Sequence, residues 1–560
     1  MRIKIRWIIF FAFFLFNDLA MANPSIEHAQ PRLVVIVSID QFRGDYLARF
    51  GAHFGEDGFK RIQHDGFTYE QCFFPTANTE TGPGHATIVT GAYGHRTGIA
   101  QNNWFDAAEG TDVYCVGDAT VATVRATTPS SDAKKGSFSP ARLLAGTVGD
   151  VLETATAGHS KTVSVSLKDR SAVLMGGRSC DRTLWFDIAT GEFVSSSFYS
   201  DTIPQWVVDF NASDAAEQWF QKPWTLSLDP AVYEASCSRD DFVAENEAKA
   251  GFTEKAFPHI LGAASTMPDK AYFTSVYSSP YGNDLLLALV KSAIANEGLG
   301  QDGVSDLLTV GFSSNDLVGH AFGPDSWETM DATIKTDVVL AELMRYLDEA
   351  VGAGQWSLVL SADHGVASIP ELLTEHRIDA GRVSAEYLKA RLEAHLKSTF
   401  GDAAAGTTYV QSVDVPWVAL NALALPNRFT EVVESATGWL AMQPEVARAI
   451  SSDELFARDV SGDGLLQAFR YCYFPGRTGD IAFALRPNYI QIETGTGTAH
   501  GSPYVYDRHV VLMAVGNRIA HGRSAETVSP AQIAPTASHL LGVLSPTQCE
   551  VSLLADALGL

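Results

Sequence analysis

Positive charge is what this 560-residue sequence has little of: 40 Lys and Arg stand against 65 Asp and Glu, a formal net charge of −25. Nucleic-acid backbones and anionic lipid surfaces are held by clustered Lys and Arg, so neither is an expected partner. Long apolar runs are also missing. The most continuous one, Trp7 to Phe16, falls well short of the ~20 residues a bilayer-spanning helix needs. Cysteines are few and scattered. Cys72, Cys115, Cys180, Cys237, Cys472 and Cys549 form no C-x-x-C or other zinc-type spacing, which argues against a cysteine metal site and leaves disulfides or buried free thiols, with the pairing open. There is no G-x-S-x-G elbow for a serine hydrolase, no internal repeat and no low-complexity linker. With 46% hydrophobic and 19% charged residues, the bulk of the chain is globular rather than disordered.

The N-terminus carries an address. Arg2, Lys4 and Arg6 precede the apolar run, and Ala20-Met21-Ala22 supplies small-x-small cleavage chemistry, so residues 1–22 read as a secretory signal peptide. Its removal, with Arg2, Lys4, Arg6 and Asp18, takes the net charge from −25 to −27. An exported, periplasmic protein without a membrane anchor is expected.

Five β-branched or apolar runs mark buried strands: Leu33–Ile39, Thr162–Leu167, Leu307–Phe312, Trp356–Leu360 and His509–Val515. Runs apolar on both faces suit parallel strands between helix layers. Leu340, Leu343, Met344 and Leu347 form a helical stripe between two of them. The expectation is an α/β fold, a mostly parallel central sheet sandwiched by helices. Stretches at about 176–260 and 370–490 fit this alternation less well and read as insertions.

Several strand ends carry polar groups. Asp40 closes the first run, Asp316 and His320 follow the third, and Asp363-His364 follow the fourth. In open α/β sheets, ligands bind outside the carboxyl ends of strands. Asp316 and His320, four residues apart, face one side of a helical turn. His500 lies in the Gly-rich segment Thr496–Gly501. Aspartate and histidine together suit Zn²⁺ or another divalent cation. A nucleophile candidate is Thr81 in Pro75-Thr-Ala-Asn-Thr-Glu-Thr-Gly-Pro-Gly-His85, before a helical-looking segment from Ala86 to Tyr93. Locally such a hydroxyl reads as a helix cap. Beside a cation its pKa falls and it becomes a nucleophile.

The strings TETGPGH, GIAQN ending at Asn102, SLKDR, NDLVGH, SADHG and GTAHG, in this order, resemble the alkaline phosphatase superfamily. The resemblance is to its exported bacterial alkaline phosphatases with a threonine nucleophile, relatives of the nucleotide pyrophosphatase/phosphodiesterases. It runs from about 33 to 515. It implies two Zn²⁺ per chain, one held by Asp316, His320 and His500, the other by Asp40, Asp363 and His364, with Thr81 as nucleophile and ligand. It further implies that Asn102 binds phosphate and that a phosphothreonine intermediate forms. Site residues from Asp40 to His500 would then belong to one domain, 23–560, with insertions. A monomer is expected.

Lys168 and Arg170, two residues apart beyond the second strand, are expected to share a face. They resemble the Lys/Arg signature of the monoesterase branch. Two Zn²⁺ balance three aspartates and a Thr81 alkoxide, and the Lys/Arg pair then balances a phosphate dianion. Small phosphate monoesters are therefore the expected substrates. The alternative is a phosphodiesterase or nucleotide pyrophosphatase with the same bimetallic core. A sulfatase does not match Thr81-Gly-Pro-Gly, and a silent metal-binding protein would require a broken site.

Overall fold

The computed structural model describes residues 30–125 and 135–560; the expected signal peptide lies outside them. Its centre is an eleven-stranded sheet. In chain order the strands are β1 (Leu33–Ile39), β2 (Phe67–Phe73), β3 (Gly117–Val124), β4 (Lys135–Phe138), β5 (Thr162–Ser166), β6 (Arg182–Asp187), β7 (Glu192–Ser196), β8 (Asp306–Phe312), β9 (Trp356–Ser361), β10 (His509–Gly516) and β11 (Gly522–Val528). Across the sheet they run β11-β2-β10-β9-β1-β8-β5-β6-β7-β3-β4. Strands β9, β1, β8, β5 and β6 are mutually parallel.

The apolar runs mark the sheet centre as expected: every residue of β1, β8 and β9 is buried. Direction differs at one of them. The 509–515 run, expected as another parallel strand, lies antiparallel to β9. A strand covered on both faces is apolar whichever way it points, so composition carries no direction. Four helices matter for the site: α1 (Thr81–Thr90), α2 (Asp169–Gly176), α3 (Ser314–Phe322) and α4 (Trp327–Leu347). The stripe Leu340, Leu343, Met344, Leu347 is buried on α4.

Within 176–260, β6 and β7 belong to the central sheet. The aromatic part beyond them is anchored on α4, where Trp224 Nε1 and Tyr233 Oη donate to Asp331 at 2.7 and 2.6 Å. The 370–490 stretch carries a four-stranded antiparallel sheet, Val410–Asp414, Trp417–Leu420, Ile481–Leu485 and Val446–Ser451, over its own core of Leu388, Leu392, Tyr409, Val432 and Phe483. All six cysteines are free thiols. Among the described residues, no helix is long and apolar enough to cross a membrane.

Candidate active site

Parallel register turns distant residues into neighbours. Ser361, Ser38, Gly311 and Ser166 stand level across β9, β1, β8 and β5. Two residues past that level come Asp363, Asp40, Ser313 and Lys168. Adjacent strands are about 4.8 Å apart, so three of the predicted site residues fall into one row at the carboxyl edge. Asp316 and His320 join it from α3, which starts directly after β8, on a common face. His500 arrives on a loop fastened to His320: Thr498 N donates to His320 O at 2.9 Å. Gly497 makes that approach possible. Its φ is +74°, and a Cβ there would stand 2.5 Å from His320 O.

Thr81 is the first residue of α1, fully buried. Arg170 Nη2 donates to Thr81 Oγ1 at 3.1 Å, and His364 Nε2 is 3.4 Å from that oxygen. The two glycines of the motif fit it in place. A Cβ on Gly84 would meet Asp363 O at 2.4 Å, and one on Gly82 would press on Asn102 Oδ1 and Cys115 Sγ, each at 3.1 Å. Asn102 Oδ1 accepts from Gly82 N at 2.7 Å, which leaves its amino group without a hydrogen-bond partner among the described residues.

Lys168 and Arg170 converge on the site by a route other than the expected strand extension. β5 ends at Ser166; Lys168 is the extended cap of α2 and Arg170 its second residue. The Lys168 ammonium, 4% exposed, lies 2.6 Å from both Asp40 Oδ2 and Asp316 Oδ2. Burial pulls the Arg170 pKa down, but Tyr114 and Asp169 outweigh it and hold the guanidinium charged.

The donor set fits divalent cations. His320, His364 and His500 each direct Nδ1 at a backbone carbonyl, of Thr498, Gly365 and Thr79, at 2.8, 2.9 and 2.7 Å. A carbonyl only accepts, so Nδ1 carries the proton and Nε2 presents a lone pair. Those lone pairs face carboxylates: His320 and His500 Nε2 lie 3.3 and 3.7 Å from Asp316 Oδ1, and His364 Nε2 lies 3.5 Å from Asp40 Oδ1. Burial pushes the pKa values of His320 and His500 down to about 3, keeping both rings neutral. Burial and the nearby Asp363 push the Asp40 carboxyl well up. Among the described residues, Asp40 Oδ1 and Asp363 Oδ2, both buried, accept no hydrogen bond. Lone pairs facing carboxylates in a dry site call for positive charge between them.

The ligand atoms fall into two groups, each within 4.8 Å: Asp316, His320 and His500; and Asp40, Asp316 and His364. Asp316 therefore belongs to both. Asp363, expected in the second set, places Oδ2 at 3.4 Å from His364 Nε2 while its Oδ1 accepts from the backbone N of Gln41 and His364.

Three residues here escaped the sequence reasoning. Gln41 links the clusters, its backbone N bonded to Asp363 and its Nε2 to Asp316 Oδ1 at 2.7 Å, with a left-handed φ of +64°. His85 Nδ1 bonds Thr81 O at 2.8 Å and stands 3.2 Å from Asp363 Oδ2. Glu80 Oε2 accepts from Asn102 N at 2.5 Å. Gln41 and Glu80 adjoin recognised residues and His85 lies one helical turn after Thr81, but nothing in their local sequence marks them as site residues. Gly319 exists for Gln41: a Cβ there would sit 1.7 Å from Gln41 Oε1. Gly319→Ala is expected to dislodge the Gln41 amide and lower kcat/KM about tenfold, as removal of a ligand-orienting hydrogen bond does. Steady-state kinetics with metal analysis checks it, and Gln41→Ala should show the same loss.

A family model, type I phosphodiesterase / nucleotide pyrophosphatase, matches residues 34–399. The chain belongs to that family. Alkaline phosphatase PhoV of Synechococcus elongatus is 34% identical over 543 residues, 96% of each chain. Alkaline phosphatase PafA of Elizabethkingia meningoseptica is 33% identical over 95% of each. The crystal structure of wild-type PafA superposes with a TM-score of 0.88 at 32% identity, covering 95% of this chain and 99% of that one. Murine ectonucleotide pyrophosphatase/phosphodiesterase 5, at 15% identity and a TM-score of 0.51, shares the fold. With these relatives the chain is an enzyme of the alkaline phosphatase type, built on a mixed eleven-stranded α/β sheet whose five central strands are parallel as its sequence implies and whose outer strands include antiparallel pairs.

Proposed function

We propose that this enzyme is an exported, zinc-dependent phosphate monoester hydrolase that works through a phosphothreonine on Thr81. The observation that carries the reading is a pair of cations at the nucleophile: Arg170 on Thr81 Oγ1, and Lys168 on the two adjoining aspartates. A monoester dianion brings two charged non-bridging oxygens, which a guanidinium fork and an ammonium match. Asp316, His320 and His500 would hold one Zn²⁺, and Asp40, Asp363, His364 and Thr81 the other. When bound, these cations lower the pKa of the Thr81 hydroxyl and neutralise charge on the attacking and leaving oxygens.

Thr81 gives up its hydroxyl proton and Oγ1 attacks phosphorus in line, the new P–O bond forming as the ester oxygen departs with the bonding pair and takes up a proton from water. Arg170, already on Oγ1, orients the phosphoryl group and shares its equatorial charge. Lys168 turns from Asp40 and Asp316, whose charge the cations then balance, toward a second oxygen. The free amide NH₂ of Asn102 donates to a third. Water then attacks the phosphothreonine, restoring the hydroxyl and releasing inorganic phosphate. Residues 23–560 would act as one α/β domain with insertions, as a monomer.

Comparing p-nitrophenyl phosphate with its bis-ester tests this. Wild type should prefer the monoester. Lys168→Ala/Arg170→Ala should lose roughly 10³-fold or more in kcat/KM on the monoester and about tenfold or less on the diester. Diester preference in wild type would point to the phosphodiesterase alternative.

A further inference from the structure

The Asp316/His320/His500 cluster has a neighbour from the first insertion. Gly497 N donates to Ala244 O at 2.7 Å, and Asn246 N donates to Ala321 O at 2.9 Å. The segment is thereby tied by backbone hydrogen bonds to both carriers of that cluster, the end of α3 and the histidine loop. Asn246 in turn fixes the turn that follows: Lys249 N lies 3.0 Å from its backbone O and 3.2 Å from its Oδ1. The Lys249 side chain is exposed, and among the described residues its ammonium has no hydrogen-bond or ion-pair partner. It nonetheless lies within electrostatic reach of the site. Partial desolvation lowers its pKa, Asp316 raises it and Lys168 lowers it, while Lys249 itself adds to what keeps His320 neutral.

We infer that Lys249 is a specificity-determining residue that reads a second anionic group, carboxylate or phosphate, on the leaving group of the substrate. The inference rests on the monoesterase reading above. In an in-line reaction the leaving group departs opposite Thr81 Oγ1, where Arg170 stands. Arg170 and Lys168 serve the transferred phosphoryl group on the Thr81 and Asp40 side. The turn that carries Lys249 is tied to the other side, to Ala321 next to His320 and to Gly497 of the histidine loop, which is the side toward which the departing oxygen and its substituent would point. The surrounding segment is otherwise acidic, with Asp240, Asp241 and Glu247, while burial pushes the Glu245 carboxyl up to about 11 and leaves it neutral, and the chain carries −25. An anionic leaving group would be repelled there without a local cation. An unpaired lysine on a tethered turn supplies that cation, and its reach accommodates leaving groups of different shape.

The test compares 3-carboxyphenyl phosphate with its neutral isostere, 3-carbamoylphenyl phosphate, on wild type and on Lys249→Gln, Lys249→Glu and Lys249→Arg. Lys249→Gln should lower the charged-to-neutral ratio of kcat/KM about fivefold, mostly through KM, and Lys249→Glu further. Lys249→Arg should hold the ratio within about twofold, and about 0.5 M salt should shrink the wild-type preference. An unchanged ratio in Lys249→Glu overturns the inference while leaving the phosphatase reading intact. Failure of wild type to hydrolyse either ester overturns both. Unchanged melting temperatures confirm that the variants are folded, as substitution at an exposed turn predicts.

Discussion

Thr81→Ala should abolish turnover and the covalent phosphoenzyme together. The substitution removes the hydroxyl and the γ-methyl but keeps the backbone and Cβ of a residue in the first turn of α1. What the hydroxyl touches is Arg170 Nη2 at 3.1 Å and His364 Nε2 at 3.4 Å. Its deletion removes the attacking atom and leaves the phosphate-binding groups standing. A nucleophile lost from a prepared site costs at least about 10⁴-fold in kcat. Rapid acid quench with ³²P-labelled substrate should show phosphothreonine in wild type, phosphoserine in Thr81→Ser and no label in Thr81→Ala. Metal analysis should find both cations retained, because the aspartates and histidines are untouched. Near-wild-type turnover in Thr81→Ala would sink the assignment.

Metal removal is the second large effect. Dialysis against a chelator should eliminate hydrolysis, and stoichiometric Zn²⁺ should restore it with two ions bound per chain. The physical ground is the state of the stripped site. Asp40, Asp316 and Asp363 lie at most 1% exposed within one cluster, and among the described residues the one Lys or Arg that pairs with them is Lys168, with two of the three. Carboxylates buried without full compensation are costly, and a cation that binds only the folded state stabilises it by mass action. The melting temperature of the stripped enzyme should fall by roughly 10 °C. Asp316→Asn should mimic the loss most closely among single substitutions, since Asp316 belongs to both ligand groups. A fully active enzyme after exhaustive chelation would refute the bimetallic proposal.

Much of the fold is legible in the sequence because burial writes itself into composition. β1 matches Leu33–Ile39 residue for residue, and the Leu340–Leu347 stripe lies buried on α4. Strand direction leaves no such trace, which is why the 509–515 run reads like its parallel neighbours yet runs antiparallel. The candidate site divides the same way. Asp40, Asp316 and Asp363 are conspicuous because each is a charge placed at the end of an apolar run. Gln41 and His85 are invisible locally. A glutamine after a strand and a histidine in a helix have many ordinary uses, and what distinguishes these is the partner across space.

The sequence by itself determined the chemistry available: carboxylates at strand ends, histidines at helical and loop spacings, a threonine before a helix, and one Lys/Arg pair in a chain poor in positive charge. It also determined the layered α/β architecture, since apolar runs of that length must be covered on both faces. The tertiary structure alone decided who meets whom. Parallel register across β9, β1, β8 and β5 sets Asp363, Asp40 and Lys168 in one row, though nothing local records which strands are neighbours. It decided that Asp316 belongs to both ligand groups, that Gln41 connects them, and that an inserted turn brings Lys249 to their edge. The reason is physical. Composition reports how much surface must leave water, whereas a site is a set of distances that exists only once the chain has folded.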